Sequence, residues 1–114
     1  MATTYKILAQ QTSTIGSAGT PTLIYGPIGT GLATVVSTIS VCNRASIAST
    51  YRISIRENGA AEATKQYLVY DASVSGNSTV TYTLGLTLAA GDAIYVYSSS
   101  VNLSYQIFGS EVSI

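Results

Sequence analysis

The segment Thr50-Tyr51-Arg52-Ile53-Ser54-Ile55-Arg56 alternates apolar and polar residues with a period of two, which is the period of a strand buried on one face. Tyr51, Ile53 and Ile55 are expected to point inward, with Arg52, Ser54 and Arg56 turned to solvent or to a partner. The same alternation recurs along the chain, built from Val, Ile, Thr and Tyr. No ten-residue window carries the i, i+3, i+4, i+7 stripe of an amphipathic helix. Strands are predicted over 5–10, 22–25, 32–43, 50–56, 65–70, 79–84, 93–97 and 101–108. Between them lie turn formers: residues 16–21, Gly26-Pro27-Ile28-Gly29-Thr30-Gly31, Asn58-Gly59, Gly76-Asn77 and a turn over 86–92. Gly and Asn serve there because they tolerate positive φ. About eight short strands predict an all-β fold, an antiparallel two-sheet β-sandwich of jelly-roll type.

Strict alternation also assigns faces. In 32–43 it puts Val35, Ser37, Ile39 and Val41 on one side and Val36, Thr38, Ser40 and Cys42 on the other. In 79–84, Val80, Tyr82 and Leu84 oppose Thr79, Thr81 and Thr83; in the last strand Leu103, Tyr105 and Ile107 share a face.

A chain of 114 residues is the size of one domain, long enough to bury a sufficient core without disulfides or metals. Charged residues are 9% of it, against about 25% in an average domain, while 16 Ser and 15 Thr supply a hydroxyl-rich surface. Five basic and five acidic residues cancel, which removes the long-range field that nucleic acid or an anionic membrane would require. It also removes most of the repulsion between copies, so self-association is expected. The lone cysteine, Cys42, excludes an internal disulfide and is expected as core filler. The first residues do not form a secretory signal, and no run approaches the ~18 apolar residues of a membrane span. Synthesis in a cytoplasm is therefore expected, and residues 11–19, mostly small and polar, are the most flexible candidate.

The chain has no histidine, and with it go the commonest general base, the commonest metal ligand and every Ser-His or Cys-His nucleophile. The five carboxylates, Glu57, Glu62, Asp71, Asp92 and Glu111, fall at predicted turns or strand ends and read as solvated turn residues. They form neither a catalytic pair nor a calcium loop. The Gly26–Gly31 run superficially resembles a phosphate loop, but a strand rather than a helix follows it. Asn77-Ser78-Thr79 and Asn102-Leu103-Ser104 match the glycosylation pattern, which has no significance without secretion. No catalytic residue, metal, cofactor or small-molecule substrate is expected.

Nine tyrosines and no tryptophan remain to be placed. Tyr51, Tyr82 and Tyr105 share faces with aliphatic residues and read as core. Tyr95 and Tyr97 alternate against Ile94 and Val96, and Tyr67 and Tyr70 are expected on opposite faces of their strand. Outward tyrosines from Tyr67, Tyr70, Tyr95 and Tyr97, with Arg52 and Arg56, are the candidate interface residues, because Tyr and Arg are the side chains that anchor interfaces.

Val41-Cys42-Asn43-Arg44, Tyr51-Arg52-Ile53-Ser54-Ile55-Arg56, Lys65-Gln66-Tyr67-Leu68, Leu88-Ala89-Ala90-Gly91-Asp92 and Phe108-Gly109-Ser110-Glu111, with the opening Tyr5-Lys6-Ile7-Leu8-Ala9-Gln10, together resemble small structural proteins of tailed bacteriophages, in particular phages of cyanobacteria and other marine bacteria. The resemblance spans nearly the whole chain and lies in the order and spacing of short motifs. It implies a non-enzymatic virion component: capsid decoration, a collar part, or a tail or fibre accessory. The implied partners are copies of itself, a homotrimer before a dimer, and other virion proteins. The alternative is a module of a phage tail or fibre that recognises a cell-surface glycan or protein receptor through outward tyrosines.

Overall fold

The computed structural model describes residues 2–12 and 21–114. Among them are nine strands: β1 (Thr3–Thr12), β2 (Thr22–Tyr25), β3 (Leu32–Asn43), β4 (Ser49–Arg56), β5 (Tyr67–Val74), β6 (Thr79–Tyr82), β7 (Leu86–Leu88), β8 (Ala93–Ser98) and β9 (Leu103–Ser113). A 3₁₀ turn at Thr64–Gln66 precedes β5. A five-stranded sheet runs β1-β9-β3-β6, with β7 also paired to β3, and a four-stranded sheet runs β2-β8-β4-β5. Every pairing is antiparallel. The chain passes back and forth between the sheets in the interleaved order of a jelly roll. The β-sandwich expected from the period-two pattern is the fold observed. Of the stretch 11–19, Gln11 and Thr12 close β1, and the rest lies outside the described residues.

The core lies between the sheets. Ile39, Val41, Leu103, Tyr105 and Ile107 of the five-stranded sheet face Tyr51, Ile53, Val74, Ile94 and Val96 of the other, all fully buried or nearly so. Each such aliphatic side chain contributes about 1.5–3 kcal/mol relative to exposure. The buried phenols keep their hydrogen bonds: Tyr105 pairs with Ser98, and Tyr51 with Tyr82. Tyr82 itself is half-buried rather than core. Burial pushes the Tyr105 phenol up to about 12 and raises that of Tyr51 still further, with the Tyr82 hydroxyl adding to it. Asn43 is the buried polar clamp. Its amide nitrogen donates to the carbonyls of Ile47 (2.8 Å) and Val74 (3.2 Å), and its oxygen accepts from the Ala45 amide (3.0 Å). It thereby holds the β3–β4 connection against the end of β5, across the two sheets.

Strict alternation fails where the sheets bulge. Val36 pairs with Gly109 but Thr38 with Phe108, so Ser37 is an extra residue in β3. On the other side of β9, Ile7 pairs with Phe108 and Ala9 with Ile107, leaving Leu8 extra in β1. An extra residue inverts the face of everything beyond it. Thr34 and Val36 are therefore buried on the same side as Ile39 and Val41, while Val35 and Ser37 are exposed, which corrects the face assignment made from alternation alone. Cys42 is likewise half-buried on the outer side, in register with Ser104 and Thr79, rather than core filler.

Several strand limits differ from those expected: β1 and β9 extend over Thr3–Thr12 and Leu103–Ser113, and β6 ends at Tyr82. The segment 86–92 is not all turn: Leu86–Leu88 pairs with β3 as β7, and only its remainder turns into β8. The fifth strand starts at Tyr67 rather than at residue 65, because Lys65 and Gln66 belong to the 3₁₀ turn. The Gln66 side chain closes that turn, donating to the Ala61 carbonyl (2.8 Å) and accepting from the Ala63 amide (3.0 Å). The glycine-rich stretch before β3 is an inter-strand loop: the Ile28 amide donates to the Asp92 carbonyl (3.0 Å), and the Gly91 amide to the Ile28 carbonyl (2.8 Å).

Gly109 pairs with Val36 beside the β3 bulge, and a Cβ there would stand 2.1 Å from the Val35 carbonyl oxygen. Gly109→Ala is expected to lose about 1–3 kcal/mol or more by overpacking against backbone, read as a lower urea midpoint with an unchanged slope. The raised phenols set the alkaline limit. A group whose folded pKa lies above its unfolded value stabilises the fold fully below the unfolded value of 10.0 and loses that contribution as pH rises through the folded one. Stability is thus expected to fall above about pH 10, and Tyr105→Phe to flatten that fall in urea titrations across the alkaline range.

Candidate functional site: an arginine–tyrosine face

The outer side of the four-stranded sheet gathers all six candidate interface residues. Arg52 and Arg56 come from β4, Tyr95 and Tyr97 from β8, and Tyr67 and Tyr70 from β5. The cause is the period-two alternation of β4 and β8: with Tyr51 and Ile53 buried, Arg52 must point out, and with Ile94 and Val96 buried, so must Tyr95 and Tyr97. Register then aligns them, Arg52 opposite Tyr97 and Ser54 opposite both Tyr95 and Tyr67. Ser54, expected at the surface, is 1% exposed beside those two rings.

Arg52 is the centre of the face. Its guanidinium carbon lies 4.2 Å from the Tyr70 ring centroid and 4.7 Å from that of Tyr97. Its Nε and one terminal nitrogen donate to the two carboxylate oxygens of Asp71 at 2.6 and 3.2 Å. A planar guanidinium is suited to this double role, forking to a carboxylate while its faces stack on rings. The adjacent Arg56 lies over Tyr95, 3.7 Å from the ring centroid. Its Nε is buried with no hydrogen-bond partner among the described residues. Such contacts are worth about 0.5–1 kcal/mol each at exposed sites. Tyr67 meets Tyr70 edge to face at 5.0 Å and donates to Glu62 at 2.5 Å. The hydrogen bond to Glu62, and then burial, raises the Tyr67 phenol above its ordinary value.

Tyr67 and Tyr70 share this face, against the expectation that they lie on opposite ones. Ile53 and Ser54 are consecutive in β4, yet their partners Val69 and Tyr67 are two apart, so Leu68 is an inserted residue that inverts the parity. A second irregularity places both Tyr70 and Asp71 opposite Arg52, with Asp71 at a positive φ of 54°. Asp tolerates that region better than most residues. The bulge is thus what gives one arginine a ring and a carboxylate at once.

Asp71 was invisible as a site residue, because the sequence places it just past a strand end. Glu57 is exposed at a turn as expected, whereas two other carboxylates are engaged in the fold. Glu111 lies in β9 and pairs with Lys6 at 3.3 Å, and Asp92 accepts from the backbone amides of Asn58 (2.9 Å) and Ala89 (2.8 Å). Two surface depressions of about 250 and 270 Å³, one lined by Gln10, Ser104 and Gln106 and the other by Glu57, Lys65 and Gln66, do not bring two carboxylates together. Among the described residues, no three of Cys, Asp and Glu cluster as metal ligands, and no helix is long and apolar enough to cross a membrane.

Hydrogen bonding to Arg52 holds the Asp71 carboxyl below its ordinary 3.8, and Asp71 in turn raises the Arg52 guanidinium. A lowered folded pKa means that the contribution is present above the unfolded value and disappears as pH falls through the folded one. The stability difference between wild type and Asp71→Asn, a substitution that keeps the tolerance for positive φ, is therefore expected to be constant at neutral pH and to shrink below 3.8, measured by urea unfolding. No protein-family model matches the chain and no curated protein is significantly similar in sequence, so the site stands on its own geometry: a pre-ordered arginine–tyrosine surface on one sheet of a jelly roll.

Proposed function

We propose that this chain is a non-enzymatic structural protein of a bacteriophage virion, a small β-sandwich subunit that decorates or reinforces the particle. Capsid decoration, a collar position, or a tail or fibre accessory all fit. Its partners are other virion proteins and copies of itself, and it reaches the particle after synthesis in the host cytoplasm. The observation that carries this reading is the Arg52 cluster, in which the guanidinium is held between Tyr70 and Tyr97 and fastened to Asp71. Tyr and Arg dominate the energetics of protein interfaces, and side chains ordered before binding lose less entropy when they bind. The engagement of Asp71, Asp92, Glu62 and Glu111 in separate structural contacts also favours binding over acid–base chemistry. Jelly rolls recur in viral capsid proteins, an analogy of fold that adds weight without specifying function.

The second reading, a glycan or receptor module of a tail or fibre, is favoured by Tyr70, a residue 59% exposed beside Arg52 that can offer a stacking surface. Copy number separates the two. Quantitative mass spectrometry of gradient-purified particles is expected to find the protein in many copies, and Arg52→Ala or Tyr70→Ala to reduce its incorporation at least tenfold while circular dichroism stays native. Absence from particles overturns the proposal. A few copies per particle, with binding to host envelopes or isolated glycans that Tyr70→Ala abolishes, replaces it with the second reading.

A further inference from the structure

The opposite side of the sandwich is chemically unlike the arginine–tyrosine face. Lys6 and Glu111 are the only charged residues on the five strands of the larger sheet. Lys6 is in register with Gly109 and Val36, and Glu111 with Thr34. Paired residues of an antiparallel sheet share a side, and Val36 and Thr34 are buried. Both charges therefore belong to the inner side, where they pair with each other at 3.3 Å. The outer side of this sheet carries no charged residue.

What it carries instead is a mixed apolar and hydroxyl surface. Tyr5, Ile7 and Val35 are 84%, 53% and 39% exposed. Register sets Tyr5 and Val35 on either side of Ser110, and Ile7 beside Phe108. The other end of the face is built from serine, threonine and glutamine, with Gln10 and Gln106 already bonded to each other at 3.1 Å.

We infer that this uncharged outer face is where two copies of the chain associate. First, a charged partner surface docked here would lose its hydration with no counter-charge to replace it, whereas an identical face brings no charge, and the net charge of each copy is zero. Second, hydroxyls and carboxamides both donate and accept, so such a surface complements itself, as a two-fold contact requires. Third, the area suffices. Strands of 10 to 12 residues at ~3.4 Å per residue, four strands wide at ~4.8 Å spacing, make a face of roughly 650 Å² per copy, or about 1,300 Å² for the pair. Specific interfaces begin near 1,200 Å². The inference deepens the reading above and rests on its self-association element: one face joins copies and leaves the arginine–tyrosine face free for another virion protein.

The test is the mass of the purified full chain by light scattering and sedimentation equilibrium across a hundredfold concentration range. Wild type is expected to pass from monomer to dimer or a multiple of it. Val35→Lys and Ile7→Lys, each at an exposed position, are expected to weaken that association at least tenfold, while Arg52→Ala leaves it unchanged. Circular dichroism and urea unfolding establish that each variant is folded, and Thr87→Lys, on the short strand at the rim of the same face, replaces any that is not. A wild type that stays monomeric throughout overturns the inference, as does association that Arg52→Ala weakens and the lysine variants do not. Either result leaves the virion reading standing if the protein is still found in particles.

Discussion

Everything in this molecule depends on the contact between two inner sheet faces. Ile39, Val41, Leu103 and Ile107 on one side and Ile53, Ile94 and Val96 on the other exclude water from a single layer, and this non-directional attraction is the main force opposing the chain entropy lost on folding. It also dictates the polar chemistry. Tyr51, Tyr105 and Asn43 enter the layer with groups that must be hydrogen-bonded once buried, and each finds its partner inside the fold. Because the inner faces are occupied by apolar side chains, the alternate residues of the same strands are forced outward, where they make up the two outer faces.

The bulges determine which residues those are. One extra residue at Ser37, one at Leu8 and one at Leu68 each invert the side to which the following residues point. At Leu68 the inversion brings Tyr67 and Tyr70 to one face, and the neighbouring irregularity adds Asp71 opposite Arg52. At Ser37 it allows β3 to bury Val36 near one end and Ile39 and Val41 near the other while Val35 stays exposed. Gly109 marks the place where β3 crowds against β9, since no side chain fits beside the Val35 carbonyl.

The two outer faces divide the surface chemistry between them. The smaller sheet presents Arg52 and Arg56 stacked on tyrosines, an arrangement suited to a partner of different chemistry. The larger presents hydroxyls, carboxamides and a few apolar side chains without charge, an arrangement that suits a like surface. A protein with 9% charged residues and a net charge of zero has little electrostatic means of choosing partners at a distance. On the function proposed above, its selectivity comes from contact shape and short-range stacking.

By itself the sequence determined the all-β class, the limits of β2 and β3 and, to within a residue, of β4 and β8, the outward turn of Arg52, Arg56, Tyr95 and Tyr97, and the burial of Tyr51 and Tyr105, because a period of two is a local property that survives in the linear order of residues. The short strand β7 escaped notice because three residues, Leu86, Thr87 and Leu88, are too few to establish a period. Only the tertiary structure decided where the period breaks. A bulge is a property of two strands in register, so Leu68 and Ser37 look like ordinary members of their own strands until Tyr67 and Val69, or Gly109 and Phe108, are set opposite their partners. For the same reason Asp71 became part of the site only when strand pairing brought it across from Arg52, a residue 19 positions earlier, through a contact that no local pattern encodes.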